Sequence, residues 1–241
     1  MAIGAVRDVD TDVLRHPTRR RGMPLWWHLL VAVLVVALVQ ALVVKIYVVP
    51  STSMEQTLEV GDRVLADRIA YAAGDPQRGD VVVFRARGAW ATDAPPSRGL
   101  VRDALVWLGG LAGIGPGTEY TLVKRVIGLP GEMVACCDAA GRVTVDGEPI
   151  DEPYVFEDQE FVTGSLDCES AVRSARCFGP IATPAGEYLV LGDHRSRSAD
   201  SVIGCRGASS PSAACARFVD GRDVLGRVWQ IVYPFTRWSG V

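Results

Sequence analysis

Lysine is nearly missing from this sequence. Of 25 Lys and Arg residues, only Lys45 and Lys124 are lysine. Arginine cannot be deprotonated in a protein, whereas a desolvated lysine can. A lysine kept where arginine is the rule therefore marks a place where arginine will not serve. Histidine is almost as sparse, with only His16, His28 and His194. Cysteine is absent before position 136, and the six that follow contain no CxxC pair, which argues against a zinc site. An excess of positive charge is also lacking. The formal net charge is -3 with basic and acidic residues interspersed, so nothing points to nucleic acid. Long helical periodicity is missing everywhere except in one apolar run.

That run is Leu25 to Val44, broken only by His28 and Gln40. Twenty residues at ~1.5 Å each span about 30 Å, the thickness of a bilayer core. Trp26 and Trp27 precede the run's centre and Lys45 and Tyr47 follow it, as interface anchors do. The expectation is a cytoplasmic tail over 1–24, a transmembrane helix over 25–47 and an extracytoplasmic domain over 48–241. Arg15, Arg19, Arg20 and Arg21 keep the tail on the cytoplasmic side by the positive-inside rule. Val39-Gln40-Ala41 would pass as a cleavage site for a removable leader, but the run is longer than the apolar core of such a peptide.

All six cysteines lie beyond the run, which fits an oxidising compartment. Cys168–Cys177 and Cys205–Cys215 are the local closures; Cys136 and Cys137 have no obvious partners. After the run the chain reads as short strands: 63–66, 81–84, 143–145, 187–191 and 228–233, set off by Gly-Asp and Asp-Gly turns. The fold class is mainly β, with antiparallel sheets packed on each other behind one N-terminal helix. Insertions interrupt the pattern at about 85–120 and 157–180. In the first, 90–98 is loop-like, and 100–114 is either a small packed helix or a segment dipping into the membrane interface.

The chemistry centres on Ser51-Thr52-Ser53-Met54-Glu55-Gln56-Thr57-Leu58, just beyond the apolar run. A serine there needs a base. A Ser-His-Asp triad has only His194 available on that side of the membrane. Lys124 is the better candidate. It lies among apolar residues in Leu122-Val123-Lys124-Arg125-Val126-Ile127, before a Gly-Leu-Pro-Gly turn. Burial disfavours the ammonium form, and a neutral lysine can take a serine proton.

These blocks, in order behind an anchor, resemble bacterial type I signal peptidase, the membrane-bound Ser/Lys protease that removes signal peptides from exported proteins. The resemblance covers Pro50–Leu58, Gly79–Phe84, Lys124-Arg125 with Gly128–Gly131, and Gly192–Ser201. It implies that Ser53 is the nucleophile, Lys124 the general base and Ser51 an oxyanion support. Ser198 would orient the lysine, and Asp200 would support the site structurally. Tyr47, Val49, Met54, Leu58 and Val123 would line shallow substrate-binding pockets that accept small residues. No metal or cofactor is implied. The implied partners are secretory preproteins and the lipid bilayer, and the expected state is a monomer. The chain departs from the pattern in three places. Gln56 stands at a common proline, His194 at a usual asparagine, and Val202 at a common arginine that pairs near Asp200. A non-catalytic membrane-anchored pseudo-peptidase is the competing reading; it would need Ser53 or Lys124 to be missing.

Overall fold

The structure, a computed structural model, describes residues 23–72, 74–93, 120–208 and 213–241. The arginine cluster of the tail and the apolar stretch 100–114 lie outside the described residues. The chain divides into two units, residues 1–35 and 36–241. Helix α1 (Leu25–Leu42) begins after Pro24, whose carbonyl accepts from the Trp27 N–H at 2.9 Å. At 18 residues it is about 27 Å long, short of a bilayer core of ~30 Å. Among the described residues no helix is long and apolar enough to cross a membrane.

The helix ends earlier than the expected span over 25–47. Val44-Lys45-Ile46-Tyr47-Val48 is rich in β-branched and aromatic residues and forms strand β1 (Val44–Val48). It pairs antiparallel with β2 (Arg63–Asp67), from Val44 opposite Asp67 to Val48 opposite Arg63. Lys45 and Tyr47 are thus strand residues of the folded domain.

The domain has two antiparallel sheets. The larger contains β1, β2, β11 (Val224–Tyr233), β3 (Val81–Arg85), β4 (Thr121–Gly128), β9 (Glu187–Leu191) and β10 (Val219–Asp220) in that order, with β12 (Ser239–Gly240) also on β11. The smaller orders β7 (Glu148–Pro149), β6 (Val143–Val145), β5 (Met133–Cys136) and β8 (Phe178–Ala182). The β6–β7 hairpin turns at Asp146 and Gly147, with φ of 51° and 87°, as a tight Asp-Gly turn demands. The strands expected at 63–66, 81–84, 143–145 and 187–191 are present, and the one at 228–233 extends back to Val224.

Two of the three apolar clusters among the described residues bear on the site. Ile127, Leu189 and Leu191 of the large sheet pack with Val134, Val143, Val145, Phe178 and Ile181 of the small one, which fastens sheet to sheet. A second cluster gathers Tyr47, Val49, Met54 and Leu58 against Val64, Val81, Val83, Val228 and Ile231. Met54 and Leu58 are fully buried there, which contributes roughly 1.5–3 kcal/mol each. This burial fixes the 51–58 segment to the sheet.

The three disulfides are Cys136–Cys137, Cys168–Cys177 and Cys205–Cys215. The two local closures are those expected, and the remaining two cysteines, which had no evident partner, bond to each other. The described part of the first insertion also differs from a plain loop. Residues Gly88–Asp93 form 3₁₀ turns that bury Trp90. Its ring meets Phe84 edge to face at 5.1 Å, the Arg217 guanidinium lies 4.1 Å from it, and its Nε1–H donates to the Phe218 carbonyl at 2.8 Å. A tryptophan with a buried body and a satisfied N–H is a core residue wherever the chain around it looks loop-like. Trp90→Ala is expected to cost about 3–5 kcal/mol. Denaturant unfolding of the full chain would read this as an earlier midpoint, and an unchanged midpoint would contradict the assignment.

Candidate active site

The 51–58 segment leaves β1 and turns at once. Glu55 N–H donates to the Thr52 carbonyl at 3.0 Å, and Leu58 N–H to that of Met54 at 2.6 Å. The turn exposes Ser51 but buries Ser53, while Met54 and Leu58 enter the core below. Lys124 sits on β4, opposite Val82 of β3, and is 3% exposed. The Lys124 Nζ donates to Ser53 Oγ at 2.6 Å. Ser51 Oγ lies 3.4 Å from Ser53 Oγ. Three residues from two distant stretches of chain thus meet at one hydroxyl.

The next residue on β4 does the fastening. Arg125 forms a two-pronged pair with Asp193, Nε to Oδ1 at 2.9 Å and an NH2 nitrogen to Oδ2 at 2.6 Å. Its NH1 nitrogen donates to the Gly79 carbonyl at 2.8 Å, and its plane lies 3.9 Å from the centre of the Tyr154 ring. Thr57 Oγ1 donates to Asp193 Oδ2 at 2.6 Å. All four sequence blocks therefore converge on one buried ion pair: Thr57, Gly79, Arg125 and Asp193. Neither Arg125 nor Asp193 was expected to matter, although each adjoins a residue that was. Below them Tyr154 Oη donates to Glu152 Oε1 at 3.1 Å, and burial, reinforced by Glu152, pushes the phenol's pKa up. Glu152 also pairs with the buried Arg195 at 2.5 Å. Burial works against the Arg195 charge, but Glu152 outweighs it and raises its pKa.

The last block, 192–201, folds over Ser53. The His194 N–H donates to the Ser53 carbonyl at 3.2 Å. Ser198 is buried, and its Oγ has no hydrogen-bond partner; it is not bonded to Lys124. It stands against Gly192 and the Ser53 backbone. A Cβ on Gly192 would sit 2.2 Å from Ser198 Oγ and 2.5 Å from the Ser53 carbonyl. Only glycine permits this approach. The five expected pocket residues, Tyr47, Val49, Met54, Leu58 and Val123, do come together in one cluster. Met54 and Leu58 are closed off beneath the turn, and Val123 is only partly buried.

The three departures each have a local structure. Gln56 has φ +76°, a left-handed conformation that proline, held near -65°, cannot adopt. Val202 is buried in the apolar cluster between the sheets, and the cation comes from further on: an Arg206 NH2 nitrogen lies 3.2 Å from Asp200 Oδ2. Asp200 is fully buried, and its Oδ1 accepts from the Val202 N–H at 3.2 Å. Arg206 is carried by the loop that Cys205–Cys215 closes. His194 is buried with its Nδ1 2.9 Å from Glu55 Oε2 and its Nε2 3.2 Å from Glu157 Oε2. The second contact is one of proximity only, since Nε2 makes no hydrogen bond. The ring is engaged by Glu55 and not by the Ser53 hydroxyl. Among the described residues the one grouping of possible metal ligands is Cys137, Cys168 and Cys177, all held in disulfides.

A serine hydroxyl held 2.6 Å from a buried lysine amine, on a two-sheet antiparallel domain, is the arrangement a Ser/Lys hydrolase requires. Comparison with known proteins gives the same class. The model of the family described as "Signal peptidase, peptidase S26" matches residues 23–233. The chain is 34% identical over 242 residues to the probable signal peptidase I of Mycobacterium leprae, covering 92% of this chain and 81% of that one. It is 34% identical over 222 residues to signal peptidase I of Mycobacterium tuberculosis, covering 88% and 72%. It is 31% identical over 233 residues to a probable signal peptidase I of Synechocystis, covering 94% and 83%. The chain belongs to the signal peptidase family, peptidase S26. It is an enzyme, a hydrolase of the signal peptidase I type.

Two substitutions test the site's construction. Gly192→Ala should lower peptide cleavage by about 10²-fold with folding retained, because a shift of ~1 Å at the reacting groups costs that much. Circular dichroism and cleavage rate, measured together, would separate this from unfolding. Gln56→Pro should destabilise the chain by more than ~1 kcal/mol, and Gln56→Gly should stabilise it by ~0.4–1 kcal/mol. Thermal melts of the two variants should move in opposite directions.

Proposed function

We propose that this protein is a membrane-bound endopeptidase that removes N-terminal signal peptides from secretory preproteins, cutting after small residues through a Ser53/Lys124 dyad. The observation that carries the reading is the 2.6 Å contact between Lys124 Nζ and Ser53 Oγ, with both side chains buried. With the amine neutral, Lys124 takes the hydroxyl proton as Ser53 Oγ attacks the scissile carbonyl. The Ser53 N–H and the Ser51 hydroxyl hold the oxyanion. Lys124 returns the proton to the leaving amine, then activates water to release the acyl group. Ser198 packs beside the Ser53 backbone and Gly192 without a hydrogen bond to the lysine, and Asp200 with Arg206 braces the loop that carries Ser198. No metal or cofactor enters any of these steps.

The substrate adds as an extended strand. β1 is the edge strand of the large sheet, and the pairing of β4 with β9 begins only at Arg125. The 47–50 and 121–123 segments therefore offer main-chain groups beside the nucleophile, the setting for strand addition. Of the expected pocket residues, partly buried Val123 meets that strand, and Tyr47, Val49, Met54 and Leu58 are the apolar core packed beneath it.

Membrane attachment rests on the 25–42 helix, whose apolar side chains are exposed: Leu25 is 76% and Val33 68% exposed. A helix apolar on every side needs a non-aqueous environment. The chain near the site supplies a second contact. Tyr233, Phe235 and Trp238 form an exposed aromatic group of the kind found at membrane interfaces. Arg237 ties this group to the nucleophile turn through Asp62 at 3.2 Å. The tail arginines and the three disulfides support a cytoplasmic N-terminus and an extracytoplasmic domain. The protein acts as a monomer.

Ser53→Ala and Lys124→Arg should each reduce cleavage of a signal-peptide substrate in lipid or detergent by at least about 10³-fold with melting unchanged. Ser51→Ala should lower kcat by about 10²–10³-fold. Appreciable activity in Lys124→Arg, which keeps the charge but cannot act as base, would overturn the dyad.

A further inference from the structure

The peptidase mechanism uses no cysteine, yet four of the six are gathered in one place. Cys136–Cys137 and Cys168–Cys177 are neighbours in space. The sulfurs of Cys137, Cys168 and Cys177 lie within 4.8 Å of one another, and Cys168 Sγ is 3.5 Å from the Cys136 carbonyl. Cys136 and Cys177 are buried, while Cys137 and Cys168 are partly exposed. One disulfide thus presents a sulfur to solvent and also to the other disulfide.

The two bridges differ in what they can do for stability. A disulfide restrains the unfolded chain more the longer the loop it closes. Cys168–Cys177 has a sequence separation of 9 and holds a surface segment together. Within it the Arg173 Nε donates to the Cys168 carbonyl at 2.8 Å, and Ser174 Oγ donates to the Glu160 carbonyl. Cys136–Cys137 links adjacent residues, a separation of 1, and restrains almost no chain. Restraint of the unfolded state therefore does not account for it.

We propose that Cys136, Cys137, Cys168 and Cys177 form a thiol–disulfide exchange site whose external substrate is a dithiol reductant. The dithiol reduces Cys136–Cys137 and is itself oxidised to a disulfide; two electrons and two protons pass to the cysteine pair. Cys137, as thiolate, then attacks Cys177 Sγ. The Cys137–Cys177 bond forms, the Cys168–Cys177 bond breaks, and the electron pair leaves on Cys168. Cys168 is the better leaving group of the two because it is partly exposed, so its thiolate is solvated and takes a proton from water. The Cys136 thiol can next attack Cys137 and release Cys177, which restores the adjacent pair and leaves Cys168 and Cys177 reduced. The net result moves two electrons from the external dithiol to the loop-closing bridge. This reading is independent of the peptidase chemistry and uses none of its residues.

The test is Cys136→Ser, which leaves Cys137 without its partner. The purified full chain is held at mildly alkaline pH, alkylated with iodoacetamide, and its disulfides are mapped by mass spectrometry. The expected result is loss of label at Cys137 and gain of label at Cys168, with a Cys137–Cys177 bridge; a Cys137–Cys168 bridge with label at Cys177 supports the same site. Label at Cys137 alone, with Cys168–Cys177 intact, would overturn it. Should the variant not fold, the wild-type chain is treated with limiting dithiothreitol and mapped in the same way. A bridge joining Cys137 to Cys168 or Cys177, or label that passes with time from Cys136 and Cys137 to Cys168 and Cys177, supports exchange, and label confined to Cys136 and Cys137 overturns it.

Discussion

One buried ion pair holds the site together. Arg125 and Asp193 come from a strand and a loop 68 residues apart, and both are out of solvent. Two desolvated charges are costly unless geometry and extra hydrogen bonds compensate. Here the remaining donors, acceptors and faces of the pair are directed at something useful: the Gly79 carbonyl, the Thr57 hydroxyl and the Tyr154 ring. The pair therefore does more than neutralise itself. It sets the position of the 51–58 turn relative to the strand that carries the lysine, and that relative position is what a 2.6 Å contact requires.

Around this pair the same solution recurs with different residues. Asp200 is fully buried and is met by Arg206, not by a cation at position 202. Val202 then becomes free to fill the seam between the two sheets. Asp62 is buried beneath the nucleophile turn and is met by Arg237 from the far end of the chain. In each case a buried acid is fixed by an arginine delivered from elsewhere, which fits a sequence that writes almost every cation as arginine. The planar five-donor fork makes that exchange favourable. Among the described residues Lys124 is the buried cation that is not arginine, and it is held 2.6 Å from the Ser53 hydroxyl.

Much of this was legible in the residues. Alternation and Gly-Asp or Asp-Gly turns locate the strands at 63–66, 81–84, 143–145 and 187–191, because short β-branched runs have few other stable conformations. Local cysteine spacing pointed to two disulfides. The meeting of Ser53 with Lys124 came from scarcity and chemistry, sharpened by the family resemblance. Other features were not legible, for physical reasons. The end of α1 depends on β1 finding β2, a tertiary pairing that overrides an apolar run. Trp90 looked like part of a loop, because its core role comes from Phe84 and Phe218, the second of them distant in sequence. Arg125–Asp193 and Asp200–Arg206 were missed because a charge pair has no periodicity. Gln56 had no rationale until its positive φ showed that proline does not fit this turn.

Lys124 and Arg125 are adjacent, and successive strand residues point to opposite sides of a sheet. A slip of β4 by one position would put Arg125 in the amine's place and Val126 in the clamp's, or, in the other direction, Val123 in the amine's place and Lys124 in the clamp's. Either chain would lose both the Lys124–Ser53 contact and the two-pronged Arg125–Asp193 pair. The ladder with β3, five residues from Val81–Arg125 to Arg85–Thr121, is therefore also a check on assembly. A wrongly folded copy is silent, not careless. For a hydrolase of the signal peptidase I type, correct pairing of β4 is thus a condition of the site's assembly.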